Sequence, residues 1–261
     1  MSFFVVIPAR YASERLPGKP LADIAGKPMI VRVAEAAARS NATEVVVATD
    51  DQRIADVVTA AGFEAEMTDT DHASGSDRIM EVVRARGWDE HSIVLNVQGD
   101  EPQIPAAVIN QLAELLLSSP TLASATLCEP VQTLGTLLDP NVVKVVRTTD
   151  DRALYFSRAP IPFGRELFAE GVRLPAKDDV DEPLPATGVW WRHIGIYAYR
   201  CWALEKFVAA PVSMLENQER LEQLRLLENG REMRALEACE FVPPGIDTPD
   251  DLQRVREHFD A

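Results

Sequence analysis

Apolar, β-branched segments alternate with amphipathic segments along the first half of the chain. Phe3–Ile7, Glu44–Ala48 and Ile93–Val97 have the composition of buried strands. Between them, Pro28–Arg39 and Ser74–Arg86 place apolar residues at helical spacing. Strands that alternate with helices are typical of a parallel sheet covered by helices. The sequence therefore predicts an α/β fold with a doubly wound, mostly parallel sheet.

The pattern changes after about residue 126. Val142–Val146 and Ala153–Ser157 have the character of strands, with no helix between them. The polar, proline-containing segment at 164–187 is typical of a long loop. We therefore predict a second, smaller lobe at residues 127–213, inserted into the main domain.

The main domain is predicted to comprise residues 1–126 and 214–261. Its C-terminal part begins with an amphipathic pattern that predicts one helix over Leu215–Asn229. A strand is predicted at Met233–Val242. Thr248, followed directly by proline, is predicted to cap a last helix.

The first predicted strand leads into a loop with three cations, Arg10, Arg15 and Lys19. The chain has a formal net charge of -15, yet its first 27 residues carry four cations against two anions. A positive loop at a strand end favours an anionic ligand, with a polyphosphate as the leading candidate. The alternative is that these three charges are merely solvated. The loop matches neither the P-loop nor the Rossmann fingerprint, so side-chain cations and backbone amides would bind the phosphates.

Composition excludes several classes of protein. The acidic balance argues against nucleic acid and anionic membrane surfaces as partners. No apolar run approaches the roughly 20 residues that span a bilayer, and no secretion signal is recognisable at the start. Cys128, Cys201 and Cys239 have no paired spacing and are expected to be reduced thiols. We expect a cytoplasmic protein.

Two aspartates are candidate magnesium ligands. Asp100 follows a predicted strand closely, so its carboxylate should emerge at the sheet edge that carries the cationic loop. A carboxylate that faces a polyphosphate usually shares it through magnesium. The alternative for Asp100 is a turn or a helix cap. For Asp247 helix capping is the simpler interpretation, unless the segment before it lies beside the strand that ends near Asp100.

A third group of residues has the chemistry to bind a carboxylated, polyhydroxylated sugar. Arg158 could pair with the acid, while His193, Tyr197, Glu222 and Gln223 could bind hydroxyl groups. Each of these residues could instead be structural: a satisfied histidine or a solvated helix residue is common.

Several long motifs occur in a fixed order: IPARYASERLPGKPL, VATDD, DHASGSDR, VLNVQGDEP, ALYFSRAPIPF, RHIGIYAYR, LEQLR and GIDTPDDL. Together they resemble the 3-deoxy-manno-octulosonate (Kdo) cytidylyltransferases, also called CMP-Kdo synthetases, almost from end to end. The resemblance implies a fold of the nucleotide-diphospho-sugar transferase type with a dimerisation lobe. It also implies a Mg²⁺-dependent homodimer that activates Kdo with CTP for lipopolysaccharide biosynthesis, without nucleic-acid or membrane partners.

The resemblance also implies roles for matched residues. The CTP site would comprise Ala9, Arg10, Ser13, Arg15, Lys19, Ser74 and Gly75. The metal ligands would be Asp100 and Asp247, and catalysis would rest on these two with Arg15 and Lys19. The sugar would contact Gln98, Arg158, His193, Tyr197, Glu222 and Gln223.

Two other functions remain open. A CMP-sialate synthetase, or an enzyme for an amino-substituted Kdo analogue, would share the acid-sugar chemistry; the motifs RHIGIYAY and LEQLR favour Kdo. A catalytically silent nucleotide-binding protein could retain the fold, but the intact set of Arg15, Lys19, Asp100 and Asp247 argues against it.

Overall fold

The computed structural model describes residues 2–12, 16–169, 171, 181–184 and 188–260. The chain divides into two compact units. The first comprises Met1–Pro120, Ile196–Val208 and Cys239–Ala261; the second comprises Thr121–Gly195 and Ala209–Ala238. Within the described residues, no helix is both long enough and apolar enough to cross a membrane.

This division differs from the predicted lobe boundaries. Residues 196–208 belong to the first unit, and residues 214–238 belong to the second. The second unit holds the latter segment because its strand pairs with a strand that begins at Ser124. The extents of the two functional domains, 1–126 with 214–261 and 127–213, stay a prediction.

Helices and strands follow one another along the described residues. The strands are β1 (Phe3–Ala9), β2 (Asp23–Ile24), β3 (Lys27–Pro28), β4 (Glu44–Thr49), β5 (Glu64–Met67), β6 (Ile93–Asn96), β7 (Ser124–Pro130), β8 (Lys144–Arg147), β9 (Ala153–Ser157), β10 (Trp191–Arg200) and β11 (Met233–Glu237). The α-helices are α1 (Met29–Ala37), α2 (Gln52–Ala60), α3 (Gly75–Arg86), α4 (Ala106–Ser118), α5 (Leu134–Leu138), α6 (Cys201–Ala209), α7 (Met214–Glu219), α8 (Leu224–Glu228) and α9 (Pro249–Asp260).

Strand β1 is the centre of the first unit's sheet. It pairs in parallel with β4 on one side and with β6 on the other, and β4 pairs in parallel with β5. Val5, Val6 and Ile7 are fully buried, and helices α1 and α3 pack against the strand. A continuous apolar run is what a parallel strand needs when both faces of its sheet are covered. The predicted doubly wound, mostly parallel α/β fold is confirmed.

The strand order places a topological switch point between β1 and β6. From β1 the chain continues to β4 and β5 on one side, whereas β6 lies on the opposite side of β1. Open α/β sheets bind ligands outside the carboxyl ends of the strands at such a point. Here those ends are Ala9 and Asn96, so the residues that follow them are the first place to seek a site.

The second unit contains a mixed sheet. Strand β11 pairs in parallel with β7, while β8 pairs antiparallel with β9 and with the start of β10. A separate apolar cluster of Val131, Leu137, Leu138, Phe168 and Trp190 lies in this unit. Its role as a dimerisation lobe stays a prediction.

The prediction of a single helix over Leu215–Asn229 is wrong, because the structure has two short helices there. Helix α7 ends where Arg220 adopts the left-handed conformation (φ 55°), and α8 begins only at Leu224. A left-handed residue cannot continue a right-handed helix. Arg225 forms a buried, two-bond ion pair with Glu216 at 2.5 and 2.7 Å, and this pair joins the two helices across the break.

The strand predicted at Met233–Val242 is too long. Strand β11 ends at Glu237, and irregular backbone leads to Thr248. The backbone bends at Cys239 and Glu240, where Cys239 N donates to the Gln111 side chain at 3.0 Å instead of to a neighbouring strand. Strand β7 and helices α5 and α6 were not predicted: α5 is only five residues long, and α6 follows β10 with no intervening turn signal.

Candidate active site

The loop after β1 is anchored by contacts at both ends. Arg10 Nη2 donates to the carbonyl oxygen of His72 at 2.5 Å, and the His72 ring pairs with Glu81. Gly18 N donates to the carbonyl oxygen of Tyr11 at 3.3 Å, which closes the loop. Two predicted nucleotide-binding residues of this loop, Ser13 and Arg15, lie outside the described residues.

Tyr11 is held by a contact that the sequence did not reveal. The guanidinium of Arg53 lies 3.5 Å from the centroid of the Tyr11 ring. Asp51 fixes this guanidinium with two bonds of 2.9 and 2.6 Å. This distance is typical of a cation–π pair. The sequence could not predict the pair, because the two residues are 42 positions apart.

Lys19 joins the two candidate metal ligands. Its Nζ donates to Asp100 Oδ2 at 2.6 Å and to Asp247 Oδ1 at 3.0 Å. The side chains are 13% exposed for Lys19, 29% for Asp100 and 44% for Asp247. Three residues far apart in sequence therefore form one partly buried cluster with a formal charge of −1, which we call the Lys19 cluster.

Close backbone approach positions Asp100 after β6. A Cβ atom at Gly99 would lie 2.8 Å from the backbone oxygen of Pro8, so only glycine fits beside the end of β1. Ile246 N donates to the carbonyl oxygen of Asp100 at 2.9 Å, and a Cβ at Gly245 would lie 3.4 Å from Asp100 Oδ1. The chain before Asp247 is thus fixed directly against Asp100.

Asp247 is not the cap of α9. Thr248 Oγ1 accepts from Asp251 N at 3.2 Å, and an Asp251 oxygen accepts from Thr248 N at 3.0 Å. This reciprocal pair is a capping box of the predicted kind. The segment before Asp247 is irregular rather than a strand, yet its hydrogen bond to Asp100 brings the two aspartates to the same lysine.

The Lys19 cluster has donors that suit a hard divalent cation. Because both carboxylates bind one ammonium nitrogen, their bonded oxygens lie no farther apart than the sum of 2.6 and 3.0 Å. Magnesium is usually bound by one or two carboxylates together with substrate phosphates and water. No group of three or more metal-binding side chains occurs in the described part of the chain. The pair therefore fits an ion that takes its other ligands from a nucleotide.

Helix α3 brings two more predicted nucleotide-binding residues to the end of β1. Ser74 caps the helix: its hydroxyl accepts from Asp77 N at 3.2 Å, and its own N–H donates to Asp77 at 3.0 Å. A Cβ at Gly75 would lie 3.5 Å from the Pro8 ring, so the start of this helix lies against the end of β1.

Of the predicted sugar-binding residues, Gln98 and Tyr197 belong to the first unit. Gln98 follows β6 and is partly buried. Tyr197 lies opposite Asn96 in the antiparallel pairing of β10 with β6, and its ring stacks on Tyr199 at 5.9 Å.

Arg158, in the second unit, is tied to Glu219. The Glu219 carboxylate accepts from Arg158 N at 3.0 Å and from Ser157 Oγ at 2.6 Å. Arg158 Nε and Nη1 donate to the carbonyl oxygens of Glu219 and Pro140, each at 2.9 Å. Glu219, which the sequence did not single out, thus fixes the orientation of the guanidinium.

His193 is held as a neutral imidazole. Thr126 Oγ1 donates to the carbonyl oxygen of Ile194 at 3.0 Å, so it must accept from His193 Nε2 in their 2.9 Å contact. Phe156 meets the ring edge-on at 4.9 Å. Burial, with a smaller contribution from the charge of Arg192, lowers the pKa of His193 to about 3.

The same unit contains two more groups of note. Gln223 is 3% exposed, and its Nε2 has no hydrogen-bond partner among the described residues. Lys144 is fully buried and donates to the carbonyl oxygens of Asp139 and Val142 at 2.8 and 2.5 Å. Burial lowers its pKa to about 8. In the sequence, the only sign of the burial of Lys144 was its position at the start of a β-branched strand. Many solvated lysines occupy such positions. Glu222 lies beside Gln223 and is partly buried.

Known proteins resemble the chain over nearly its whole length. The sequence profile of the cytidylyltransferase family matches residues 4–233. The 3-deoxy-manno-octulosonate cytidylyltransferase of Alcanivorax borkumensis is 51% identical over 98% of this chain and 98% of its own length. That of Cellvibrio japonicus is 52% identical over 98% and 97%, respectively.

Solved structures agree. The CMP:2-keto-3-deoxy-manno-octonic acid synthetase complexed with CTP has a TM-score of 0.86 and 42% identity, over 100% of this chain and 99% of its own. The 4-diphosphocytidyl-2C-methyl-D-erythritol synthase of Anaerococcus prevotii, at TM-score 0.59 and 12% identity over 100% and 97%, respectively, shares the fold alone. The identities near 50% over almost complete chains show that this chain belongs to the 3-deoxy-manno-octulosonate cytidylyltransferase family.

Proposed function

We propose that this chain transfers the cytidylyl group of CTP to Kdo, giving CMP-Kdo and pyrophosphate. One observation carries the proposal: Lys19, Asp100 and Asp247 meet in one cluster near the topological switch point of the sheet. Relatives that are 51% and 52% identical to this chain are named for this activity, and the similar solved structure is a complex with CTP.

The reaction is a displacement at phosphorus. The anomeric hydroxyl oxygen of Kdo forms a bond to the α-phosphorus of CTP, the bond from that phosphorus to the bridging oxygen breaks, and the hydroxyl proton passes to solvent. No covalent enzyme intermediate is required. Catalysis then consists of holding the reactants in line and neutralising the charge of the leaving pyrophosphate.

The first unit offers the groups for this work. Asp100 and Asp247 would hold Mg²⁺, which supplies charge neutralisation and lowers the pKa of a bound hydroxyl. Lys19, now paired with both carboxylates, would then contact the phosphates. The other proposed nucleotide contacts are the backbone at Ala9 and the residues Arg10, Ser13, Arg15, Ser74 and Gly75.

The proposed sugar contacts are Gln98 and Tyr197 in the first unit and Arg158, His193, Glu222 and Gln223 in the second. A neutral His193 and an amide such as Gln223 can exchange hydrogen bonds with hydroxyl groups, whereas Arg158 can pair with a carboxylate. We further propose a cytoplasmic homodimer that serves lipopolysaccharide biosynthesis. Exposed apolar side chains at Leu154, Phe163 and Val189 of the second unit support a contact between subunits.

Product analysis with a panel of acid sugars tests the substrate. The protein is incubated with CTP, Mg²⁺ and either Kdo, an amino-substituted Kdo or sialic acid, and the nucleotide products are identified by mass spectrometry. CMP-Kdo as the main product is the expected result. Preferential formation of CMP-sialate would retain the chemistry but overturn the substrate, and no product with any sugar would overturn the enzyme.

A further inference from the structure

Asn96 is a buried side chain with an unused hydrogen-bonding atom. It is the last residue of β6 and is 5% exposed. Its Oδ1 is inaccessible to solvent and has no hydrogen-bond partner among the described residues. Most buried polar groups in proteins are hydrogen-bonded, and leaving one without a partner is unfavourable. The amide of Asn96 thus retains hydrogen-bonding capacity at the carboxyl end of a central strand.

The sheet register shows which side chains share the face of the sheet on which Asn96 lies. Asn96 lies beside Val6 in the parallel pairing with β1 and opposite Tyr197 in the antiparallel pairing with β10. Residues paired in this way share one face of a sheet. Val6 is apolar and offers Asn96 no side-chain hydrogen bond, whereas Tyr197 is a proposed sugar contact.

The chain after Asn96 points in the same direction. Val97 N donates to the carbonyl oxygen of Val6 at 3.2 Å, so strand-like pairing extends one residue beyond β6. Alternation of side chains then places Gln98, another proposed sugar contact, on the same face as Asn96. Three side chains of the first unit thus form one polar strip: Asn96 at the end of β6, Gln98 just beyond it and Tyr197 on β10.

We infer that Asn96 is a further substrate-binding residue, whose amide exchanges a hydrogen bond with a hydroxyl group of the acid sugar. A primary amide offers both a donor and an acceptor, which matches a hydroxyl group that is itself donor and acceptor. The inference rests on the proposed function, because it takes the sugar as the ligand of this strip.

The variant Asn96→Leu tests the inference, because leucine has a similar volume and no polar atoms. The substrate-free variant should melt at or above the wild-type temperature, since Oδ1 has no described partner to lose. The KM for Kdo should rise about tenfold, while the KM for CTP stays within about twofold. Should Asn96→Leu fail to fold, Asn96→Ser serves instead: its shorter side chain loses the same contact, and the same Kdo-specific rise is expected.

Thr68→Val is the matched control, because it removes a buried polar group that forms hydrogen bonds within the protein. Thr68 Oγ1 donates to the carbonyl oxygen of Thr49 at 3.1 Å and also accepts from Arg78. This variant should melt at a lower temperature and keep both KM values.

Two results would overturn the inference. One is a fall in melting temperature for Asn96→Leu as large as that for Thr68→Val with an unchanged KM for Kdo, which would make the amide structural. The other is a rise in the KM for CTP alone, which would assign Asn96 to the nucleotide. Failure of the proposed function is seen separately, in wild-type protein that forms no CMP-Kdo.

Discussion

At the scale of single residues, Lys19 holds two carboxylates close together. Its ammonium bonds to Asp100 and Asp247 offset one of their two negative charges. A divalent cation between the same oxygens would neutralise both carboxylates by itself. It would then repel the Lys19 ammonium toward an anionic substrate. We therefore propose that binding of a cation to Asp100 and Asp247 would free Lys19 to contact the phosphates of CTP.

Asp100→Asn should reduce turnover by about 100-fold or more, because it removes one charge of the pair while preserving side-chain shape. Steady-state pyrophosphate release measures the effect, with circular dichroism to verify the fold. Asp250→Asn, at an exposed carboxylate in the first turn of α9, is the control and should retain full activity. Full activity of Asp100→Asn would remove Asp100 from the mechanism.

His193 gives stability a dependence on pH. In an unfolded chain its pKa is about 6.5, whereas burial lowers it to about 3 in the fold. Between these values the unfolded chain binds a proton that the folded chain does not. His193 therefore makes stability fall as the pH drops from about 6.5 toward 3, by at most about 1.4 kcal/mol per pH unit.

His193→Gln should remove this contribution, so the variant should lose less unfolding free energy than wild type between pH 7 and pH 5. Urea denaturation at the two pH values measures the difference. His91→Gln is the control, because the His91 side chain is 70% exposed, and it should behave as wild type. An unchanged pH dependence in His193→Gln would show that the histidine is not held neutral in the fold.

At the scale of elements, local signals predicted the helix starts, and tertiary contacts decided the rest. Ser74 and Thr248 were predictable as caps because a hydroxyl three residues before a carboxylate is a local pattern. The break at Arg220 was not, because no glycine marks it. Strand β7 was not predicted, because the alternation of strands and helices changes near residue 126, within this strand.

Gly99→Ala should disturb the turn that carries Asp100. The added Cβ would lie 2.8 Å from the Pro8 backbone oxygen, and a backbone atom between paired strands cannot move alone. We expect a loss of about 1–3 kcal/mol of unfolding free energy, measured by chemical denaturation, together with reduced turnover. Gly75→Ala, with only an ordinary 3.5 Å contact, should leave the unfolding free energy nearly unchanged. Equal stability of the two variants would contradict the close approach.

At the scale of the whole molecule, the proposed homodimer should show a light-scattering mass twice that of the chain. Phe163 of the second unit is 60% exposed and Phe241 of the first is 69% exposed. Phe163→Asp should shift the population toward monomer, because it places a charge on the proposed contact. Phe241→Asp should not. A monomeric wild type would contradict the dimer, and a Phe163→Asp variant of unchanged mass would exclude this face.

The sequence predicted the α/β fold because strand and helix periodicities are local, and its family motifs pointed to the activity. It placed Asp100 and Lys19 at one sheet edge, since both follow central strands. It could not show that Asp247 joins them, because that contact spans 228 positions. Nor could it show that Glu219 holds Arg158, or that the Asn96 oxygen has no described partner. Such facts depend on how distant segments pack.

The measurement that tests the central claim most directly is pyrophosphate release from CTP, with and without Kdo, in Mg²⁺ and again in EDTA. The account predicts release that requires Kdo, is abolished by EDTA and is restored by added Mg²⁺. Release that is independent of Kdo, or that persists in EDTA, would contradict it, as would silence under all conditions.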